Sequence, residues 1–522
     1  MIKGNTVWSP SVLAPSVPEI DLDTYQKRCA TAPMGLYDAL VRTAEKFPEK
    51  VALELEDKSS LTFAQLLEQT HTFSAQLASL GIRENSRVGL LLDNNPQIFI
   101  ALYAVNQLGA IAVVLPGKLR TPALIELLNC SAPDITVVDI SGMDELSSFG
   151  HRVVSVEEVK KVDITHRAVT AHPNPGRVAL MMFTSGTSGT PKAVAISNAN
   201  VTNAALSYEF IFHLDENDKL IFGVPLYHVT GIIAIIAQVT FSACTLYLQR
   251  RFSPLEFLEW AKEVRATYIH ASPTVFELLL RSWPKGLEIP SIRVLACGAA
   301  SMPTSRILRL KKKLPHAAFR TIYGLTETTS PATIFPSDAA SSEFIGSSGW
   351  PIPGNEIRIV DDSGREVAPG EVGEIEVKGA TVCLGYLNDQ GVVDQIDSLK
   401  TGDLGYLNEH GLLYVVDRRK DQINRGGEKV YPHIVEEALN NVDGVVDACV
   451  VALPDELYGE VPGAIFVGKS QLSIDTLCIE LKKSLASFAI PSLLLQVDEI
   501  PKTAGLKADK NAARELLQQK SM

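Results

Sequence analysis

Residues 88–115 constrain the fold more than any other stretch. A short apolar run, 88–92, ends at the turn Asp93-Asn94-Asn95-Pro96. A segment of helical length follows over 98–108, and a second apolar run covers 112–115. Proline at that turn suits a helix start. Two buried strands joined through a helix run parallel, because the connection is a crossover and not a hairpin. Similar apolar runs recur at 135–138, 178–183, 220–224 and 293–296, which predicts a large N-terminal α/β domain with layered sheets.

Beyond residue 340 the texture changes. Gly and Pro become dense, and strand-length stretches such as 356–360 and 374–377 lie between turns such as Asp361-Asp362-Ser363-Gly364, which reads as a small β subdomain over about 340–417. The strand-like run 412–416 leads into a charged cluster, Asp417-Arg418-Arg419-Lys420-Asp421. After it come helix signals (434–439, 474–485) and apolar strands (448–452, 464–467). The simplest parse is an N-terminal core at 1–417, a joint at 418–421 and a smaller α+β domain at 422–522.

Composition excludes several classes. The chain has 522 residues, 46% hydrophobic and 21% charged, so it is neither disordered nor low in complexity. With 48 Lys plus Arg against 60 Asp plus Glu, the net charge of −12 argues against nucleic acid as a partner. Seven cysteines, none in a CxxC pair, read as free thiols in a reducing compartment, and the amino terminus lacks the apolar core of a secretory signal. Residues 229–248 carry no charge, but Gly231, Gln238, Ser242 and three threonines break the run. A buried helix leading into a core strand is expected there, with no integral membrane segment. The expected location is the cytoplasm.

Chemistry concentrates in three places. The first is Thr184-Ser185-Gly186-Thr187-Ser188-Gly189-Thr190-Pro191-Lys192, with two glycines, five hydroxyls and a lysine directly after a strand. Glycines let backbone N–H groups approach an anion, hydroxyls add donors, and lysine supplies a point charge for phosphate. It is not a Walker loop, because the required second glycine position holds Pro191, and 193–196 reads as a strand instead of a helix. The second is Tyr323-Gly324-Leu325-Thr326-Glu327-Thr328, where the glycine permits flat packing of a planar base, Thr326 can bond a phosphate oxygen, and Glu327 is a hard ligand suited to Mg²⁺. The third pairs Asp403, whose carboxylate can accept from a ribose diol, with Arg418 as a further donor. Taken singly, the second and third would pass for solvated loop or turn residues.

Together, in this order, the three resemble the adenylate-forming superfamily of acyl-CoA synthetases, nonribosomal adenylation domains and luciferases, over about residues 35–515. The resemblance implies a two-domain α/β fold with a mobile C-terminal domain. It implies that Thr184 to Lys192 close over the phosphates of ATP, that Tyr323 lies by the adenine, that Thr326 touches phosphate and that Glu327 binds Mg²⁺. Asp403 and Arg418 would hold the ribose. Gly298, Ala299 and Ala300 match the stretch that walls the acyl pocket and touches the adenine, with Gly324 nearby. Lys420 falls at the hinge, and Gly426-Gly427 beside the pantetheine tunnel. Lys507 matches the catalytic lysine, which would bridge carboxylate and α-phosphate. Leu506 stands where the family has glycine, which leaves Lys502 and Lys510 as fallback candidates.

Amino-acid-activating members place an acid near the segment matching Pro225-Leu226-Tyr227-His228-Val229-Thr230-Gly231, yet no acid occurs between Pro225 and Gln249. An α-ammonium would be buried unpaired there. The stretch resembles acyl- and aryl-CoA synthetases, in which His228, Val229 and Gly231 would border the carboxylate pocket. The expected reaction activates a small-molecule carboxylic acid, fatty or aryl, to acyl-AMP and then transfers it to CoA. The alternatives are a ligase loading the phosphopantetheine of an acyl carrier protein and a non-catalytic nucleotide-binding relative.

Overall fold

The computed structural model describes residues 2–3, 8, 21–117, 121–139, 146, 150–165, 169–185, 191–502 and 508–521. The predicted β-α-β unit is present. Strands Arg87–Leu91 and Ile111–Val114 pair in parallel, and helix Pro96–Gln107 between them is capped by the Asn95 side chain on the Gln97 N–H. The cap moves the helix start two residues ahead of the apolar pattern. That helix is apolar on nearly every face, so it has to be buried all round.

Two large sheets flank such helices. The eight-stranded sheet runs from Val393–Gln395 through Gly385–Leu387, Pro191–Ser197, Val178–Ser185 and Ile111–Val114 to Val153–Ser155 at its far edge. The nine-stranded sheet carries parallel strands Ala318–Tyr323, Val294–Cys297, Tyr268–Ala271 and Lys219–Phe222 side by side. One continuous apolar core joins the two, with helix Asn198–Phe212 inside it. The charge-free run over 229–248 is buried as expected, but its first turn, Gly231–Ile236, is a π-helix continuing into helix Ala237–Phe241 and strand Thr245–Leu248. None of the described helices is long and apolar enough to cross a membrane.

The β-rich stretch forms an antiparallel sheet of Asn355–Val360, Gly373–Gly379, Leu399–Leu407 and Leu413–Arg418, joined at its edge by Ile2–Lys3. Part of 340–417 does not belong to it. Gly385–Leu387 and Val393–Gln395 extend the eight-stranded sheet instead, because Gly385 and Tyr386 pair with Ala195 and Val194. Residues beyond the charged cluster build their own five-stranded sheet around Val445–Asp455 and Gly459–Gly468. Separate apolar clusters cover its faces. All seven cysteines are free thiols.

Candidate active site

The hydroxyl-rich segment begins and ends on two antiparallel strands, with Thr184 opposite Lys192 and Ser185 opposite Pro191. Gly186, Thr187, Ser188, Gly189 and Thr190 lie outside the described residues, as does the Ser185 side chain. The exposed Lys192 holds its Nζ 5.4 Å from the centre of the Tyr386 ring. The Tyr386 hydroxyl in turn donates to Glu327 Oε1 at 3.4 Å. Burial, and then the Glu327 charge, push the Tyr386 hydroxyl well above its ordinary pKa, so it stays a donor. Tyr386 thus links the hairpin lysine to the acidic turn. No local motif marks it; only the strand pairing brings it there.

On the other side of Glu327, Tyr323 ends a core strand and donates its hydroxyl to Asp403 Oδ2 at 2.8 Å. Asp403 and Arg418 are directly opposite each other across antiparallel strands, and Arg418 Nε lies 3.2 Å from Asp403 Oδ1. Asp403 is 4% exposed, so the cation and the phenol hold a desolvated carboxylate in one orientation. Burial first, then the Asp403 charge, keep Tyr323 protonated. The second and third sequence constellations therefore form one cluster.

The turns around this cluster are strained. Ala299 (φ 71°), Thr329 (φ 53°) and Ser330 (φ 33°) are left-handed without being glycine, a state that costs on the order of 1–3 kcal/mol each. Neighbours hold them: Thr329 Oγ1 donates to the Thr381 carbonyl at 2.7 Å, and Ser330 Oγ lies 3.2 Å from the Tyr208 hydroxyl. Gly324 sits within this turn, where a Cβ would come to 3.2 Å of Pro331 Cα, Ala332 N and Thr328 Oγ1. Thr326 and Glu327 open the short 3-10 turn Thr326–Thr328 and are half-buried.

The residues expected at the acid pocket stand in more apolar surroundings. His228 is exposed, and its ring packs on Tyr227 with centroids 4.6 Å apart. Val229 is half-buried, and Gly231 begins the π-helix, where a Cβ would stand 2.5 Å from the Leu226 carbonyl oxygen. The isoleucines after it are fully buried in the layer between the sheets, so they serve packing. Gly298 is buried at the end of its strand, and Ala299 and Ala300 beyond it are exposed.

The C-terminal part reaches this same edge. Ser301 Oγ lies 3.0 Å from His433 Nε2, and Thr304 Oγ1 donates to Glu437 at 3.1 Å. Arg306, buried against Glu277 at 2.9 Å, extends to Asp447 at 3.5 Å. Lys420 is exposed in the short turn Arg419–Asp421, and Gly426 and Gly427, both left-handed, turn a hairpin in the C-terminal sheet. Lys507 lies outside the described residues; Lys502 and Ala508 pair on either side of that segment. Lys510 does not suit the fallback role. Its ammonium meets Asp421 at 2.9 Å and Asp417 at 4.0 Å. Burial disfavours its charge, but Glu436, Asp417 and Asp421 together raise its pKa. Asp417 also accepts the His433 backbone N–H at 2.8 Å.

Among the described residues no group of three or more His, Cys, Asp or Glu is placed to hold a metal. A lone carboxylate such as Glu327 still fits Mg²⁺, which commonly takes one or two carboxylates and completes its shell with water and substrate phosphates.

Comparison with known proteins decides the family. The AMP-binding enzyme model matches residues 40–387, and the AMP-binding enzyme C-terminal domain model matches 434–507. The chain belongs to this family. It is thus one of the adenylate-forming enzymes, an AMP-forming acid–thiol ligase. A 2-succinylbenzoate–CoA ligase of Bacillus subtilis (strain 168) is 33% identical over 481 residues, 91% of this chain and 97% of that one. Among solved structures, the Bacillus subtilis o-succinylbenzoate CoA synthetase with its acyl-adenylate intermediate superposes at a TM-score of 0.81, with 31% identity over 91% of this chain and 97% of that one. The same enzyme with ATP and magnesium ion gives 0.82 at 32% identity, over 91% and 98%.

Proposed function

We propose that this enzyme activates an aryl carboxylic acid of the 2-succinylbenzoate kind with ATP and passes the acyl group to CoA. A carboxylate oxygen attacks the α-phosphorus of ATP, pyrophosphate leaves, and the CoA thiol then displaces AMP from the acyl-adenylate. The observation that carries this reading is the single cluster of Lys192, Tyr386, Glu327, Tyr323, Asp403 and Arg418 under the hydroxyl-rich hairpin. It supplies a ribose acceptor, an adenine-side ring and a phosphate-side cation and carboxylate within one cleft. Of the two acid classes expected, fatty and aryl, the relatives favour the aryl class.

Asp403, oriented by Tyr323 and Arg418, accepts from the ribose hydroxyls. Thr326 and the hairpin donors hold the phosphates, and Lys192 adds charge against the leaving pyrophosphate. Mg²⁺, held by Glu327 through the phosphates, neutralises charge on the transferring group. Gly298, Ala299, Ala300 and Gly324 flank the adenine and the acid, and His228 borders the carboxylate beside Val229 and Gly231. Lys507 bridges carboxylate and α-phosphate in the first step. The C-terminal part, residues 422–522, then turns about Lys420 and brings Gly426 and Gly427 to the thiol path. Pyrophosphate exchange over a panel of short, long and aromatic acids, with and without CoA, tests the reading. An aryl acid should drive exchange and yield a CoA thioester; exchange with no acid, or none at all, refutes it.

A further inference from the structure

Strand Tyr268–Ala271 pairs with Val294–Cys297, which pairs with Ala318–Tyr323. His270 stands opposite Ala296, and alternate residues share a sheet face, so His270, Ala296 and Gly298 lie on one face with Ile322. Gly298 leaves a gap on that face. A Cβ built there would lie 3.4 Å from the Ile322 carbonyl oxygen, 3.6 Å from Ile322 Cβ and 3.8 Å from His270 Nε2. The imidazole therefore borders the space that glycine opens, beside the exposed Ala299 and Ala300.

The hydrogen bonds set the tautomer. His270 Nδ1 lies 3.1 Å from the Tyr268 hydroxyl. That hydroxyl has no other partner among the described residues, so it satisfies its own proton only by donating to Nδ1, which leaves the ring proton on Nε2. The residue is 3% exposed, and burial holds its pKa down at about 3, so the ring is a neutral donor at working pH. Among the described residues nothing accepts from Nε2. An N–H that borders this space and has no acceptor among the described residues can donate to an oxygen from outside the chain. A neutral donor matches an uncharged oxygen better than a carboxylate, which would be desolvated beside it without a countercharge. Arg320, on the same face, donates from Nη1 to the carbonyls of Phe335 and Pro336, while its Nε has no partner among the described residues.

We propose that His270 is a specificity-determining residue of the acid pocket, its Nε2–H donating to a ketone oxygen on the acid, away from the carboxyl group being activated. This rests on the reading of the site as an aryl-acid ligase. The test compares 2-succinylbenzoate with its deoxy analogue, in which the ketone is a methylene, by acid-dependent pyrophosphate exchange. Wild type should favour the keto acid by about 10- to 100-fold in kcat/KM, the range expected when a buried donor loses its acceptor. His270→Phe should lose that preference through a fall in the keto-acid rate alone, and His270→Gln, which keeps a donor, should retain part of it. AMP binding and the melting temperature of each variant report on folding separately from selectivity. An unchanged keto preference in folded His270→Phe, or an equal loss for both acids, overturns the assignment. Wild type that binds ATP yet activates neither acid overturns the functional reading, and this inference with it.

Discussion

At the Tyr323–Asp403–Arg418 end of the cleft, charged and phenolic groups hold one another by short hydrogen bonds. At the Gly231–Gly298 end, shape comes from side chains that are missing, with a π-helix pressed on the Leu226 backbone and a gap lined by Ile322 and His270. The polar end can grip a ligand part that never changes. The hollow end can be resized by a single substitution without disturbing that grip.

Four changes would break or sharpen this contrast. Lys507→Ala should reduce adenylation by about 10²- to 10³-fold, as for loss of a preorganised charge at a transition state, while thioester formation from supplied acyl-adenylate largely survives. Full adenylation in that variant would place the catalyst elsewhere. Asp403→Ala leaves Arg418 and the Tyr323 hydroxyl without their shared acceptor, and should weaken ATP binding by about 10- to 100-fold at unchanged acid selectivity. Calorimetric titration with ATP measures it.

Gly231→Ala acts on the hollow end alone. Its Cβ would meet backbone atoms of Leu226 at 2.5 and 2.7 Å, so overpacking should cost about 1–3 kcal/mol in denaturant unfolding, with AMP binding retained. A further test uses pH. Unfolded His270 takes up a proton near pH 6.5, whereas the buried ring resists protonation until about 3. Stability is therefore complete above pH 6.5 and declines as pH falls between these values, by at most about 1.4 kcal/mol per pH unit. Unfolding midpoints from pH 4 to 7 should show a shallower acid limb in His270→Phe.

The polar end was the legible one, because its residues come in contiguous runs whose chemistry is visible side by side. Asp403 and Arg418 are near in sequence, and the intervening hairpin makes them neighbours. Tyr386 escaped notice because it enters only by pairing Gly385–Leu387 with the far hairpin strand, a long-range register that no local pattern encodes. His270 and Tyr268 looked like ordinary strand residues; only Gly298 on the adjoining strand reveals the opening at the ring. The isoleucine-rich run read correctly as a buried helix, but its π turn depends on how closely Gly231 approaches Leu226, which is a tertiary fact. The layered architecture was readable throughout because buried strands and helices differ in length and in their punctuation by proline and glycine.

The clasp between the two parts has a mechanical consequence. Ser301 with His433 and Thr304 with Glu437 are polar pairs that water can replace, whereas Arg306 reaches Asp447 from a side chain buried against Glu277. If the smaller part swings as proposed, water can take up the Ser301 and Thr304 bonds as they open, while Arg306 keeps its buried partner Glu277.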